Sequence, residues 1–580
     1  MRPDGYSALI VEGSSTADAG GQLASETKRR GHALLELASV CVAVGARCGV
    51  LQLPDETGLV LGTLFDRSGK RVDRVTAETV AGWTASRGRS LIEGYWGAYL
   101  AILCEPDGTV LVRDPSGLFP CYYRTRPGTI EVASDLLWLD LSGIDDRSIC
   151  QAELHAQLQY ASLRTSRTAI EGLNELLPGA AMAVRRTGRV VEQIWTPWQF
   201  ARAWDGGMTV EDAADRLRRT IDLTIGAWTR LFARPLLSLS GGLDSSIVAA
   251  ASARHARQID AVTYRGGEGD LNEGRYAKLV ADHLGIAWHD LPLDRSMVDL
   301  RSSAASVLPR PNARSFSQAA DQQDLQLATA LGSDAFLTGA GGDSLLWYFN
   351  TAAPALDRLR VDGVGAALQT VGDLADMCAV PWSRAFTLAL RKLLQRRSRP
   401  WPHSVAFLST AARVPALYPA HPWWPGPGNA LPGVRAYVLA LIQLSDHHEY
   451  HRRSALAPVL APLASQPIVE TCLGIPSWLS CSAGANRAVA RAAFADALPP
   501  EILHRRTKGG FEGFVHDLLE RNRALAREML IEGQLAQGGW LDIEAIDHIL
   551  QSPSPIGPTE APRILRLVAI EAWLGSVRRR

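Results

Sequence analysis

The chain has 580 residues, too many for one ordinary hydrophobic core, so two or more domains are expected. Its 47% hydrophobic and 21% charged residues match a globular protein in water, and Lys+Arg and Asp+Glu stand at 60 each. A formal net charge of zero argues against coating nucleic acid or anionic membrane as the main role.

The opening stretch, MRPDGYSALIVEGSS, lacks the apolar core of a secretory signal. No later apolar run reaches the length needed to span a bilayer. The eight cysteines (Cys41, Cys48, Cys104, Cys121, Cys150, Cys378, Cys472, Cys481) form no CxxC pair, so they read as buried thiols in a reducing compartment. A cytoplasmic location is expected, with neither nucleic acid nor membrane as a partner.

Residues 1–205 read as short strands joined by turns. The stretch AYLAILCEPDGTVLVRD (98–114) is two apolar runs turning at Pro106-Asp107-Gly108. TIEVAS (129–134) is another strand, and AAMAVRRTGRVVEQIW (180–195) turns at Thr187-Gly188. An antiparallel, strand-rich unit is expected here.

In residues 206–580 the texture changes. Thr209-x-x-Asp212 opens a long amphipathic helix. Strand-like PLLSLS, DAVTYR, DLPL and DAFLTG then alternate with helical stretches such as NEGRYAKLVADHLG. That alternation implies a parallel sheet with right-handed crossovers. Residues 399–433, rich in proline and tryptophan, read as loop, and a mostly helical C-terminal region follows. His447, His448 and His451 read as a solvated or capped helix rather than a metal site.

The chemistry concentrates in SLSGGLDSSIVAA (238–250), where an apolar strand breaks into glycines, serines and an aspartate before a helix. Glycines at such a corner let backbone N–H groups point at an anion, and the helix N-terminus adds positive charge. Asp244 would repel a phosphate unless a cation lay between them, and Mg²⁺ shared with phosphate oxygens resolves the conflict. FLTGAGGDSLLW (336–347) repeats the pattern and ends in Asp343. If both strands share a sheet, Asp244 and Asp343 can face one metal-bound triphosphate.

The first corner resembles the SGGxDSS pyrophosphate loop of enzymes that cleave ATP to AMP and pyrophosphate. Together the two corners resemble the asparagine synthetase B family, which includes β-lactam synthetases and lasso peptide cyclases. The likeness continues in GYWGAYLAILCEPDGTVLVRDPSGLFPCYY (94–123) and NRAVARAAFADALPPEILHRRTKGGF (486–511). It implies an α+β, Ntn-hydrolase-like αββα domain over 1–205. An α/β parallel-sheet ATP-pyrophosphatase domain with a helical C-terminal region follows over 206–580. By the same resemblance, ATP would contact Leu239, Ser240, Gly241, Gly242, Leu243, Asp244, Ser245, Ser246, Thr263, Thr338 and Gly339. Asp244 and Asp343 would hold Mg²⁺, and Lys508 would stabilise charge during amide formation.

Two departures narrow the expectation. The family's glutaminases need a cysteine directly after the initiator methionine, and here Met1-Arg2-Pro3 stands instead. The N-terminal domain is therefore expected to be scaffold. Ala340 stands where asparagine synthetases carry a glutamate and β-lactam synthetases a tyrosine, and alanine moves no proton. A peptide α-amine, with a pKa of roughly 7.7–8.0, needs least help. The resemblance thus favours a lasso peptide cyclase acting on a ribosomal precursor peptide with a leader-binding element and a cysteine leader peptidase. ALPGVRAYVLALI (430–442) and PLASQPIVETCLGIP (462–476) look like that branch. Trp401, Trp423 and Trp424 are candidates to cradle the peptide, with an ordinary packed loop as the plainer reading. A small-molecule amide synthetase and a degenerate scaffold are the alternatives.

Overall fold

Tyr6, Ala8 and Ile10 point to one side of their strand and Leu9 to the other, the period-two pattern of a strand covered on both faces. The computed structural model describes residues 4–11, 21–37, 39–140, 147–160, 162–201, 207–265, 273–312, 314–348, 351–395, 401–413, 421–448, 451–506 and 512–578. Within them the first third of the chain supplies β1 (Tyr6–Val11), β2 (Ala33–Leu37), β3 (Val40–Val44), β4 (Val50–Gln52), β5 (Gly58–Asp66) and β6 (Tyr95–Glu105). Then come β7 (Gly108–Arg113), β8 (Tyr122–Arg126), β9 (Thr129–Ala133), β10 (Leu173–Glu175), β11 (Ala180–Arg185) and β12 (Gly188–Gln193).

These strands form two six-stranded antiparallel sheets, in the orders β10-β8-β9-β1-β3-β2 and β12-β11-β7-β6-β5-β4. Inward residues of the first (Val40, Val42, Val44) share one core with Leu61, Leu100 and Leu111 of the second. Leu9, Cys41 and Ala43, on the far face of the first sheet, pack with Leu154 and Leu158 of the helix Gln151–Gln159. Both expected hairpins are present, β6–β7 and β11–β12.

The helix Val210–Thr229 begins where the sequence indicates, with the Asp212 N–H donating to Thr209 Oγ1 at 3.1 Å. Its far end joins the two halves. Trp228 meets the rings of Phe65 at 5.0 Å and Trp96 at 6.1 Å, and its Nε1 donates to Ser465 Oγ.

A five-stranded parallel sheet follows, built from β13 (Pro235–Ser238), β14 (Asp260–Arg265), β15 (Ala287–Pro292), β16 (Ala335–Thr338) and β17 (Val459–Leu460). Its order is β15-β14-β13-β16-β17, so the chain leaves β13 in one direction and returns to its other side. The crevice between β13 and β16 is a topological switch point, where open parallel sheets take ligands. Ser238 pairs with Thr338, so both glycine corners leave the sheet at one level.

Some expectations fail on packing. Trp401, Trp423 and Trp424 are buried in the main core, so their rings are not free to cradle a peptide. His451 is buried rather than solvated but does cap a short helix, Arg452–Ala455, its N–H donating to Ser454 Oγ at 3.3 Å; burial, with Arg314 next to it, brings its imidazole down to about 3. The side chains of His447 and His448 lie outside the described residues. Cys378 is exposed, unlike most of the thiols. Three helices, Ala353–Val361, Val364–Met377 and Trp382–Leu394, occupy a stretch for which the sequence suggested no element.

Glu175 of β10 anchors the junction of the halves. Arg113, Arg164 and Arg310 reach its buried carboxylate at 2.7, 2.5 and 2.5 Å. Burial pushes that carboxyl up, but Arg164, Arg310 and Arg113 outweigh it and hold it well below the usual carboxylate range. A depressed carboxyl stabilises the fold above its unfolded pKa, and the contribution disappears as pH falls towards the folded one. Glu175→Gln leaves three buried guanidinium groups without their counter-charge. We expect it to cost about 3–5 kcal/mol, read as a lowered melting temperature at neutral pH, with the gap to wild type closing in acid.

Candidate active site

The site is built where two chain corners touch. A Cβ added to Gly339 would lie 2.7 Å from the Ser245 nitrogen, and one on Gly342 would lie 2.3 Å from Asp244 Cβ. Glycine at both positions lets the second corner press against the start of the helix Leu243–Ala253. The serines shape the first corner. Ser245 Oγ donates to the Gly242 carbonyl at 3.1 Å and accepts from the Ser240 N–H at 3.2 Å. Ser246 Oγ donates to the same carbonyl at 2.8 Å and is fully buried.

A cavity of about 650 Å³ opens above these corners. Leu239, Ser240, Gly242, Leu243, Asp244 and Ser245 line it, and Thr263, Thr338, Gly339 and Ala340 face it from the neighbouring strands. Gly241 and Ser246 do not line it; they support the corner from behind. Thr263 Oγ1 donates to the Leu239 carbonyl and accepts from Trp288 Nε1, fixing the β13–β14 edge. Two cavities of about 800 and 830 Å³ lie elsewhere, so volume alone does not point to this site. The paired acidic corners do. Lys508 lies outside the described residues.

Asp244 and Asp343 converge on one atom. Arg487 Nη1 donates to Asp244 Oδ1 at 2.7 Å and to Asp343 Oδ1 at 2.9 Å. Arg487 takes a left-handed backbone (φ 52°, ψ 39°) before the helix Ala488–Ala493, a conformation costing a non-glycine residue roughly 1–2 kcal/mol. Its guanidinium also lies 5.2 Å from the Tyr348 ring centre. The two carboxylates thus define a point that calls for positive charge, which fits the donor set of a magnesium ion. Among the described residues no group of three His, Cys, Asp or Glu side chains gathers as a metal cage. Phosphate oxygens and water would complete the coordination.

Several lining residues escape a reading of the corners alone. Arg487, Arg491 and Arg505 come from the C-terminal region and make the cavity wall cationic. Burial, with Arg487 alongside, brings the Arg491 guanidinium down to about 10. Arg505 donates to the Gly241 carbonyl at 3.1 Å and stacks 4.2 Å from the Tyr276 ring centre. The i, i+4 spacing of Arg487 and Arg491 was the available signal. On the other wall, Tyr264 Oη donates to Asp324 Oδ1 at 2.6 Å, and Arg453 pairs with Asp324 and with Asp321. Burial pushes both the Tyr264 hydroxyl and the Asp324 carboxyl up.

The sequence profile of the asparagine synthase family matches residues 227–575. A carboxyethyl-arginine β-lactam synthase of Streptomyces clavuligerus is 26% identical over 192 residues, 32% of this chain. That match spans 34% of the relative, about a third of its length. Two solved structures show a weak likeness. An allosteric regulatory enzyme of purine biosynthesis has 10% identity and a TM-score of 0.23, over 50% of this chain and 80% of its own. A glutamine phosphoribosylpyrophosphate amidotransferase from B. subtilis, complexed with ADP and GMP, has 12% identity and a TM-score of 0.19, over 59% and 71%. Both scores are too low to establish a shared fold.

Arg487→Ala removes the cation between two acidic groups. In chelator it should lower the melting temperature, by about 1–3 kcal/mol of stability, and added magnesium should recover part of the loss. Identical melting with and without magnesium would count against a cation site at Asp244 and Asp343.

Proposed function

The chain belongs to the asparagine synthase family, and we propose that it is an ATP-dependent, AMP-forming amide synthetase that closes a macrolactam on a ribosomal peptide. The convergence of Asp244 and Asp343 on one positive point, at the mouth of the β13–β16 crevice, carries the ATP part of the reading. The alanine methyl of Ala340 in the cavity wall supports the choice of a free amine as nucleophile.

In this reading Ser240, Gly242, Leu243 and Ser245 receive the triphosphate, and the cationic wall of Arg487, Arg491 and Arg505 opposes its negative charge. Asp244 and Asp343 would hold magnesium, which when bound supplies the positive charge that lets phosphate oxygens approach carboxylates. A side-chain carboxylate of the peptide attacks the α-phosphorus, and the bond to pyrophosphate breaks. The peptide's α-amine then attacks the acyl carbon. AMP departs with the electrons of the carbon–oxygen bond, and the amine's proton is released. Lys508, from the family's motif, would steady the oxyanion, a role typically worth ~3–4 kcal/mol. Holding amine and acyl group together contributes up to ~7–11 kcal/mol. The α-amine must first be freed, so a leader-binding element and a cysteine leader peptidase act beforehand.

A second reading is closure of a small-molecule amide. The match to a β-lactam synthase favours it, as does the Tyr264–Asp324 pair, a proton-transfer couple in the same cavity. Substrate choice decides between them. Pyrophosphate release that depends on a peptide, with loss of one water from its mass, supports the cyclase. Release with aspartate or a small β-amino acid, and collapse in Tyr264→Phe, supports the second reading.

Asp244→Asn and Asp343→Asn should each cut substrate-dependent pyrophosphate release by roughly 10²–10³-fold. Lys508→Ala should spare that release more than it spares amide formation. Unchanged turnover in all three variants would leave the protein a scaffold.

A further inference from the structure

The helix Trp382–Leu394 turns its small residues inward and its large ones outward. Ala385 and Ala389 are buried beside Leu356, Val371, Leu374 and Cys481. Trp382, Leu390, Leu393 and Leu394 are 47%, 43%, 49% and 69% exposed, and Phe386 stacks on Trp382 at 5.1 Å. At about 100° per residue, these five apolar positions fall within one arc of roughly 120°. Arg384 and Arg391 lie beyond one edge of that arc, by roughly 60–80°, and exposed Leu388 lies past them. The preceding helix, Val364–Met377, adds exposed Val364 and Leu368 one turn apart.

Charge along this part of the chain is one-sided, with the exposed acids Asp362 and Asp376 confined to the ends of the preceding helix. Residues 377–445 contain no Asp or Glu and eight Lys or Arg, in a chain whose whole net charge is zero. Apolar side chains held in water on a ridge with cations along one side need a partner that is apolar inside and anionic outside. The exposed residues spread over a wide arc and onto a second helix. A fluid that conforms to the ridge suits this shape better than a protein groove, which takes a narrow i, i+4 stripe. At 13 residues the helix is too short to cross a bilayer, and among the described residues no helix is long and apolar enough to do so.

We propose that the helix Trp382–Leu394 is an interfacial anchor that lays the protein on an anionic lipid surface. Trp382, Phe386, Leu390, Leu393 and Leu394 enter the boundary between headgroups and acyl chains, and Arg384 and Arg391 reach out to lipid phosphates. None of these residues lines the nucleotide cavity, so the anchor stands or falls apart from the chemistry proposed above.

Flotation of the purified full chain with lipid vesicles tests the proposal. The protein should float with vesicles of equimolar phosphatidylcholine and phosphatidylglycerol, and stay below with phosphatidylcholine alone. The double variant W382E/L390E should reduce partitioning by roughly tenfold or more, and R384E/R391E by a similar factor. All four side chains are on the outer surface, so unchanged circular dichroism and melting temperature will show both variants folded. Wild-type protein that floats with neither vesicle overturns the proposal. So does W382E/L390E floating as well as wild type. A wild-type dimer that W382E/L390E turns into monomer, without flotation, would assign the ridge to a second copy instead.

Discussion

The site depends on one pairing, that of β13 with β16 in parallel and in level register. Ser238 lies opposite Thr338, so each strand has only a short run before its aspartate, six residues to Asp244 and five to Asp343. A slip of one residue along β16 would turn its side chains to the other face and carry Asp343 away from Asp244. Glycines complete the arrangement, because side chains at positions 339 and 342 would hold the two corners apart.

Bringing two carboxylates together is unfavourable unless positive charge separates them, and the fold supplies it from far along the chain. Arg487 reaches both aspartates, while Arg491 and Arg505 carry the same sign along the cavity wall. The segment that brings these arginines also meets the glycine corner directly, through Arg505 and the Gly241 carbonyl. Charge balance in the cavity and docking of the C-terminal region are therefore coupled. The antiparallel sheets contribute from behind, through Trp228 against Phe65 and Trp96 and through the arginine ring around Glu175.

Local patterns were legible where chemistry and backbone impose them together. The capping pair Thr209–Asp212, the hairpins at 105–108 and 185–188, and the strand–glycine–helix corners all stand as read from residue types alone. The tryptophans follow the plainer of their two readings, a packed loop. Trp401, Trp423 and Trp424 sit in a proline-rich stretch that looks like surface, yet their large apolar rings are buried in the core. Whole-chain neutrality averages over the acid-free stretch 377–445. The helices between residues 353 and 394 went unread.

The sequence by itself determined the two acidic corners, the change from antiparallel to parallel strands near residue 206, and the absence of a proton-transfer side chain at Ala340. Those are short-range properties, written in adjacent residues and fixed by backbone freedom, side-chain period and functional groups. Only the tertiary structure decided that Asp244 and Asp343 share one cation and that Arg487, Arg491 and Arg505 face them. It also decided that a row of large apolar residues on the helix Trp382–Leu394 is left in water. Such facts join residues more than a hundred positions apart, or depend on which side of a helix finds room to pack. They follow from long-range packing and strand register, which no local pattern encodes.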